Sequence, residues 1–266
     1  SRNPARMPRK PLVEPTSRLA VWGLRFVLAG MAVMLVAILA ARTDRLDGYQ
    51  AVVGLALGLA IVATGVLLAV IGGIVIWVTG YGGARQATLA VVLGLAVSAY
   101  PAALMVIGVR LPALNDVTTD ITDPPSFGIA AMARPSNANS VAYPTAFAPV
   151  QRRIYPEIRG IDVDLPAESV NEIVNDLVES RRWNVLDQVD YRGPDREGRV
   201  EMVTRSLLLG FRDDIVIRIR SVNGRARIDM RSASRYGRQD FGENARRTIA
   251  ALDEMRVAAR RAQRER

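Results

Sequence analysis

A cluster of arginines and hydroxyl groups near the C-terminus is the part of this sequence best suited to chemistry. Residues 227–242 read RIDMRSASRYGRQDFG and precede a segment with helical periodicity. Guanidinium groups, serine hydroxyls and the free N–H groups of a helix N-terminus all favour phosphate or carboxylate. We therefore define a candidate site for an anion or a partner: Arg218, Arg220, Arg227, Asp229, Arg231, Ser232, Ser234, Arg235, Arg238, Asp240, Asn244 and Arg247.

The same residues also suit a structural role, because arginine–carboxylate networks fasten loops and Asp213, Asp214 and Asp229 lie nearby in sequence. Removing one arginine from such a network leaves an unpaired acid and lowers stability. A ligand site instead holds like charges together. For a ligand site we expect Arg235→Ala to melt no lower than the parent, and to lose stabilisation by phosphate or anionic lipid.

Composition removes most catalytic chemistries. The 266 residues include no His and no Cys, and only Lys10 among the 35 basic residues is lysine. Imidazole and thiolate are the usual metal ligands, general bases and soft nucleophiles, and lysine is needed for Schiff-base and P-loop mechanisms. Asp213 and Asp214 are adjacent in a predicted strand, so they point to opposite faces. We expect no enzymatic activity, no catalytic residues and no cofactor.

Three aspartates, Asp116, Asp120 and Asp123, resemble a cation site at first sight. Their spacing does not match a calcium-binding loop, which places ligands at alternate positions around a central glycine. Asx-turn and capping roles are favoured, and we expect no metal.

Long apolar stretches at residues 19–41, 51–79 and 87–109 dominate the first half of the chain. Each reaches the roughly 20 residues that a helix needs to cross a bilayer. Gly54 and Gly58 have the spacing that lets spans pack closely, and we expect packing within the chain. The second and third spans carry no charge and the first carries only Arg25, close enough to one end to reach the headgroups. This argues against transport.

Basic residues flanking the spans predict the orientation, because they concentrate on the cytoplasmic side. Six lie on one side and three on the other: Arg2, Arg6, Arg9, Lys10, Arg18 and Arg85 against Arg42, Arg45 and Arg110. The count favours a cytoplasmic N-terminus and a soluble half outside the cytoplasm, which means the periplasm for a bacterial inner-membrane protein. We therefore expect a cytoplasmic segment at 1–18, a membrane region at 19–110, a Pro-rich arm at 111–160 and a soluble α+β domain at 161–266.

The soluble domain carries clear periodic signals. A helix of about fifteen residues is predicted, with Pro166 in its first turn and its end near Arg181 and Arg182. Strands follow at 183–189 and 199–209, then a hairpin of 215–222 and 225–231 around Asn223-Gly224. Asp240 and Glu243 resemble a capping box at the start of a helix that reaches about Arg261. The sequence thus predicts an antiparallel sheet of about four strands with two helices, and the proline density of the arm predicts no helix or central strand there.

The two-residue turn fixes the hairpin register, with Val222 opposite Arg225. Ile219 then faces Ile228 and Ile217 faces Met230 on the core side, while the other face pairs Arg218 with Asp229 and Arg220 with Arg227. Two facing arginines repel unless an anion is near. This arginine face is predicted to be solvated, covered by the acidic helix after Asp164, or a site.

Charge is divided unevenly along the soluble half. Residues 115–198 hold 8 Arg and 14 acidic residues, whereas 199–266 hold 17 Arg and 9 acidic residues. Such polarity suits internal packing or orientation toward headgroups rather than nucleic-acid binding. The final arginines, up to Arg266, read as a solvated helix end.

Four stretches carry a resemblance to a known family. NDVTTDITDPPSF (115–127), IYPEI (154–158), DDIVIRIR (213–220) and RIDMRSASRYGRQDFGENARR (227–247) resemble the membrane-anchored members of the domain-of-unknown-function family DUF1499. The resemblance implies an extended Asp-Pro-Pro arm before an α+β body, and the family has no established activity to carry over. Its densest motif matches Asp229, Arg231, Ser232, Ser234, Arg235, Gly237, Asp240, Gly242, Asn244 and Arg247.

We expect a non-enzymatic envelope protein, an accessory or interaction module in contact with membrane lipids and with a protein partner in the membrane or periplasm. The alternative is a module that binds an anionic small molecule or lipid headgroup through the arginine cluster. No nucleic-acid partner is expected.

Overall fold

The computed structural model describes residues 15–193, 196–206 and 210–265. The described residues form two compact units, one within residues 15–39 and 50–103, the other within residues 40–49 and from 104 onward. Three predictions fall outside the described residues: the basic segment before Pro15, the Leu209 end of the second predicted strand, and Arg266.

The first unit contains the apolar helices α1 (Arg18–Arg42), α2 (Gly48–Thr79) and α3 (Ala84–Arg110), whose last or first residues extend into the second unit. All three are long and apolar enough to cross a membrane, as predicted. A Cβ added to Gly65 of α2 would lie 2.7 Å from the carbonyl oxygen of Gly23 in α1, so the two backbones touch. The small residues therefore pack spans within the chain. Arg25 lies over the ring of Trp22, 5.0 Å from its centroid.

The second unit is built on an antiparallel sheet. Its strands are β1 (Asp116–Thr118), β2 (Ile161–Val163), β3 (Asn184–Val189), β4 (Gly198–Arg205), β5 (Arg212–Val222) and β6 (Arg225–Ser234). The order is β1-β6-β5-β4-β3, and β2 also pairs with β6. The described residues thus contain six strands where the sequence indicated about four.

The two strands that the sequence did not predict, β1 and β2, both pair with the second strand of the hairpin, β6. Val222 faces Arg225, Ile219 faces Ile228 and Ile217 faces Met230, which confirms the predicted register. In such a ladder alternate residues of β6 turn their N–H and C=O groups away from β5. Buried backbone groups need partners, and β1 and β2 supply them along the outer edge of β6.

Four further helices complete this unit: α4 (Ile129–Met132), α5 (Phe147–Ile154), α6 (Ala167–Ser180) and α7 (Glu243–Arg264). The prediction that the arm holds no helix is wrong, because α4 and α5 lie in it. Proline is tolerated in α5 because Pro149 occupies its first turn, where the N–H has no helical partner.

The two faces of the sheet have different covers. Buried apolar residues of α6 and α7, such as Val174 and Leu252, pack with Ile217, Ile219 and Ile228 in the main core. The acidic helix therefore lies on the apolar face, and the suggestion that it covers the arginines is wrong. The arm covers the arginine face instead, because its aspartates pair with those arginines.

Candidate functional site

The centre of the arginine face is Asp229, a fully buried residue of β6. Arg220 Nη2 donates to its Oδ2 at 2.9 Å, Arg227 Nε at 3.2 Å and Arg218 Nη2 at 3.4 Å. The hydroxyl of Thr119 donates to Oδ1 at 3.2 Å. One carboxylate therefore holds three guanidinium groups, which removes the repulsion expected between Arg220 and Arg227.

Two aspartates of the arm also pair with arginines of this cluster. Asp123 accepts from Arg218 at 3.0 Å and from Arg220 at 2.9 Å, and Asp120 accepts from Arg220 at 3.2 Å. Asp120 also accepts from the backbone N–H groups of Thr122 and Asp123, which is the predicted Asx turn. Burial alone would raise the pKa of Asp120, but these backbone bonds and Arg218 leave it below the usual value.

Arg231 forms a separate buried pair with Asp116 of β1. Nη2 and Nε donate to the two carboxylate oxygens at 2.7 and 3.0 Å. Further N–H groups donate to the carbonyls of Pro125 and Val141, and the guanidinium lies 4.7 Å from the ring centroid of Phe127. Burial raises the pKa of Asp116 against the lowering effect of Arg231.

Arg235 is also enclosed. Its Nη2 donates to Asp214 at 2.7 Å and its Nη1 to the carbonyl of Ala133 at 3.0 Å, and Arg134 reaches the same carboxylate at 2.7 Å. The side chain of Arg235 is 2 % exposed and that of Asp214 is 0 % exposed. Contrary to the expectation for a ligand site, Arg235→Ala should therefore lower the melting temperature, because the substitution breaks a buried ion pair.

A hydrogen-bonded chain links β6 to α7. Ser232 donates to Asn244 Oδ1 at 2.7 Å, and Asn244 Nδ2 donates to Ser234 at 2.9 Å. Arg247 completes the link, since Nη1 donates to Ser232 at 2.9 Å and Nη2 donates to Asp213 at 2.7 Å. Asp213 and Asp214 thus have different partners, as expected for neighbours in a strand.

The N-terminus of α7 already holds a carboxylate. Asp240 accepts from the N–H groups of Gly242 at 2.9 Å and Asn244 at 2.7 Å, and burial raises the pKa of Asp240. Glu243 pairs with Arg247 at 3.6 Å rather than completing a capping box. Arg238 is exposed, and no ion pair joins it to any acid within the described ranges.

In the ion-pair network on the arginine face, the carboxylates outnumber the arginines. Nine arginines of the described residues take part: Arg134, Arg199, Arg218, Arg220, Arg227, Arg231, Arg235, Arg246 and Arg247. Their carboxylate partners are Asp116, Asp120, Asp123, Asp162, Asp187, Glu197, Glu201, Asp213, Asp214, Asp229 and Glu243. The network has no surplus of positive charge for an added anion. Anion binding by the cluster stays a prediction.

Sequence reasoning missed several members of this network, including Arg134 and Glu201. Glu201 is buried in β4 and accepts from the N–H groups of Gly128 and Ala130 at 2.8 and 2.9 Å, which caps the short helix α4. A glutamate inside a strand of buried residues was the available signal. No group of acids that could hold a metal ion occurs within the described part of the chain.

A groove between β2 and α7 was also missed. Its volume is about 370 Å³, and it is lined by Gly160, Ile161, Asp162, Val163, Arg256, Ala259, Arg260 and Gln263. Arg256 pairs with Asp253 at 2.7 Å within its own helix. Arg260 is exposed and has no ion pair among the described residues.

The connector between α1 and α2 belongs to the same compact unit as the soluble domain. Asp44 accepts from Arg205 at 2.9 Å and from Arg212 at 2.8 Å, and the hydrogen bond from Arg205 holds the pKa of Asp44 below its usual value. At the end of α3, Gln239 Nε2 donates to the carbonyls of Gly108 and Leu111 at 2.9 and 3.0 Å. The domain therefore makes hydrogen bonds to the connector between α1 and α2 and to the C-terminal end of α3.

Comparison with known proteins gives one match. The sequence profile of the family described as "Protein of unknown function (DUF1499)" matches residues 116–255. No curated protein and no solved structure shows a significant match to the chain.

Proposed function

The chain belongs to the DUF1499 family, and from that premise we propose that it is a non-enzymatic accessory protein of the cell envelope whose α+β domain binds a partner protein beside the membrane. Three apolar helices support the membrane location. The distribution of flanking basic residues supports a cytoplasmic N-terminus, and in a bacterial inner membrane this orientation places the domain in the periplasm.

The observation that carries this proposal is the groove between β2 and α7. Among the described strands β2 pairs with β6 alone, and Ile161 faces Ile228 there. The alternation of the ladder directs the peptide groups of Asp162 away from β6, toward the open edge. An open edge beside a helix can accept an added strand, which is how several peptide-binding domains work.

The charge of the groove indicates which segment it accepts. Arg256 and Arg260 stand on the helix side, and Arg260 has no carboxylate partner among the described residues. Asp162 already pairs with Arg227 at 3.6 Å. An extended segment of the partner with acidic side chains would add backbone hydrogen bonds at β2 and place a carboxylate near Arg260. We propose this acidic, extended segment as the occupant.

The alternative, an anionic ligand held by the arginine cluster, has weaker support. The carboxylates of the network outnumber its arginines, and the N-terminus of α7 is occupied by Asp240. Added phosphate should therefore leave the melting temperature of the full chain unchanged. A stabilisation by phosphate that disappears in Arg238→Ala would favour the alternative.

Photo-crosslinking in intact cells tests the partner proposal. A photoreactive residue replaces Gln263 in the groove, and Val257, which is 60 % exposed and does not line the groove, serves as the matched control position. The expected result is an adduct at position 263 that maps to an acidic stretch of one partner and is lost in Arg260→Glu. Equal adducts at both positions, or no effect of the charge reversal, contradict the proposal.

A reporter that is active only in the cytoplasm tests the orientation. Fused after the last residue of the chain, it should be silent, whereas a fusion after Gly82, between α2 and α3, should be active. The opposite pattern would place the domain in the cytoplasm.

A further inference from the structure

A second cavity, independent of the groove, lies at the connector between α1 and α2. It has a volume of about 370 Å³, and its lining includes Asp44, Asp47, Phe211, Arg212 and Tyr236. We propose that this cavity binds the headgroup of a zwitterionic phospholipid that carries a primary amine, such as phosphatidylethanolamine.

The position of the cavity follows from covalent connectivity. Residues 43–47 join two helices that are each long enough to cross a membrane, so the connector stands where the hydrocarbon ends. The headgroup layers add about 10–15 Å in total to a hydrocarbon core of about 30 Å. A cavity lined by this short connector is therefore within reach of headgroups, which are present there at high local concentration.

One side of the cavity suits a phosphate. Asp44 accepts from two arginines, Arg205 and Arg212, so one negative charge is shared by two positive charges. The Arg212 side chain is 35 % exposed and lines the cavity. Guanidinium groups bind phosphate through charge-assisted hydrogen bonds, and a partly dehydrated interface strengthens them.

The other side suits an ammonium group. Asp47 lines the cavity, and Asn137 Nδ2 donates to its carboxylate at 3.2 Å. Asp47 directly precedes α2, where aspartate commonly caps a helix, and a carboxylate has capacity for several donors. A primary ammonium offers three N–H donors to such a carboxylate, whereas a quaternary ammonium offers none.

Two aromatic rings also line the cavity. The rings of Phe211 and Tyr236 lie 6.3 Å apart at 55°, and both line the cavity. Tyr236 packs on the backbone of Gly48, because a Cβ there would lie 2.7 Å from Tyr236 Cγ. Aromatic faces attract cations and suit the boundary between headgroups and acyl chains.

Native mass spectrometry of the full chain in detergent micelles tests the proposal. Phosphatidylethanolamine, phosphatidylcholine and phosphatidylglycerol are added in turn, and the bound fraction is measured. The expected order places phosphatidylethanolamine first. Equal retention of phosphatidylglycerol would overturn the proposal, because general attraction to basic residues would then explain the binding.

Matched variants locate the site. Arg212→Gln should weaken phosphatidylethanolamine binding roughly tenfold, the ratio expected when a charged hydrogen bond worth about 1.5 kcal/mol is lost. Asp44 keeps Arg205 in this variant. Arg45→Gln is the control, since Arg45 is exposed in the same connector and does not line the cavity. Equal weakening by both substitutions would refute the site.

A second variant keeps the test decisive if Arg212→Gln unfolds. Asp47→Asn should reduce the preference for phosphatidylethanolamine over phosphatidylglycerol without lowering phosphatidylglycerol binding, because the ammonium loses a charged acceptor and the phosphate does not. An unchanged preference overturns the proposal. Soluble glycerophosphoethanolamine should compete only at much higher concentration than the lipid. Equal affinity for the soluble compound would show that the ligand is a free solute rather than a membrane lipid.

Discussion

Replacing Arg231 by methionine should destabilise the soluble domain more than any exposed arginine substitution. The side chains of Arg231 and Asp116 are 3 % and 5 % exposed, and the substitution leaves the carboxylate buried without its cation. Breaking a buried pair in this way costs about 3–5 kcal/mol. We expect the upper end of this range, because the carbonyls of Pro125 and Val141 also lose their donor.

Urea unfolding of the full chain in detergent micelles measures this loss. The control is Arg225→Met in the same strand, because the Arg225 side chain is 65 % exposed and pairs with an exposed aspartate. Exposed pairs contribute about 0–1 kcal/mol, so the control should change the free energy of unfolding by less than that. The double variant Arg231→Met/Asp116→Leu should recover most of the loss, since an apolar pair replaces the buried ion pair.

The loss in Arg231→Met should also depend on pH. Burial already raises the pKa of Asp116 above the usual 3.8, and removing Arg231 takes away the influence that lowers it. A carboxyl whose pKa is higher in the folded than in the unfolded state favours folding when it takes up a proton. The variant should therefore regain stability as the pH falls through the raised native pKa, with the gain complete below 3.8. A loss below about 1 kcal/mol at neutral pH, or one independent of pH, would refute the burial of this pair.

Four further substitutions test other parts of the structure. Ile219→Ala should lower the free energy of unfolding by about 2–5 kcal/mol, the usual cost of truncating a core residue, as measured by urea unfolding. Arg235→Ala should lower the melting temperature because Asp214 loses one of its two arginines, whereas Arg238→Ala, at an exposed position, should leave it unchanged. In the membrane unit, Gly58→Leu should separate α1 from α2 and lower the thermal stability of the micelle-bound chain, because that glycine touches the opposite backbone.

Local patterns accounted for much of the fold. The spans follow from runs of apolar residues, and the hairpin register follows from Asn223-Gly224, where the turn requires positive φ at both residues; the structure has 53° and 77° there. The helix α6 follows from an apolar stripe at helical spacing. In each case the signal lies within one short stretch of sequence, so local physics determines the element.

The carboxylates that pair with the arginines could not be predicted from local sequence patterns. Asp116 and Arg231 are 115 positions apart, and Asp123 and Arg218 are 95 apart. The pattern of either segment alone is compatible with solvent exposure. One local signal did exist, since Arg220 opposite Arg227 requires a nearby anion, and the candidate anions included acids of the arm as well as a ligand.

Because arginines of the cluster pair with aspartates of the arm, a binding site should be sought elsewhere in the molecule. An arginine that is buried against a carboxylate of the chain is not available to a ligand. Moving it away from its partner would leave that carboxylate buried without a counter-charge. Positive charge outside this network includes Arg260 in the groove beside β2 and Arg212 in the cavity at the connector, where one acid is shared by two arginines. These two places differ in what they can reach. The groove offers an open strand edge for a protein segment, and the connector joins two helices that are long enough to cross a membrane. The two surfaces share no lining residue, so both can be occupied at the same time.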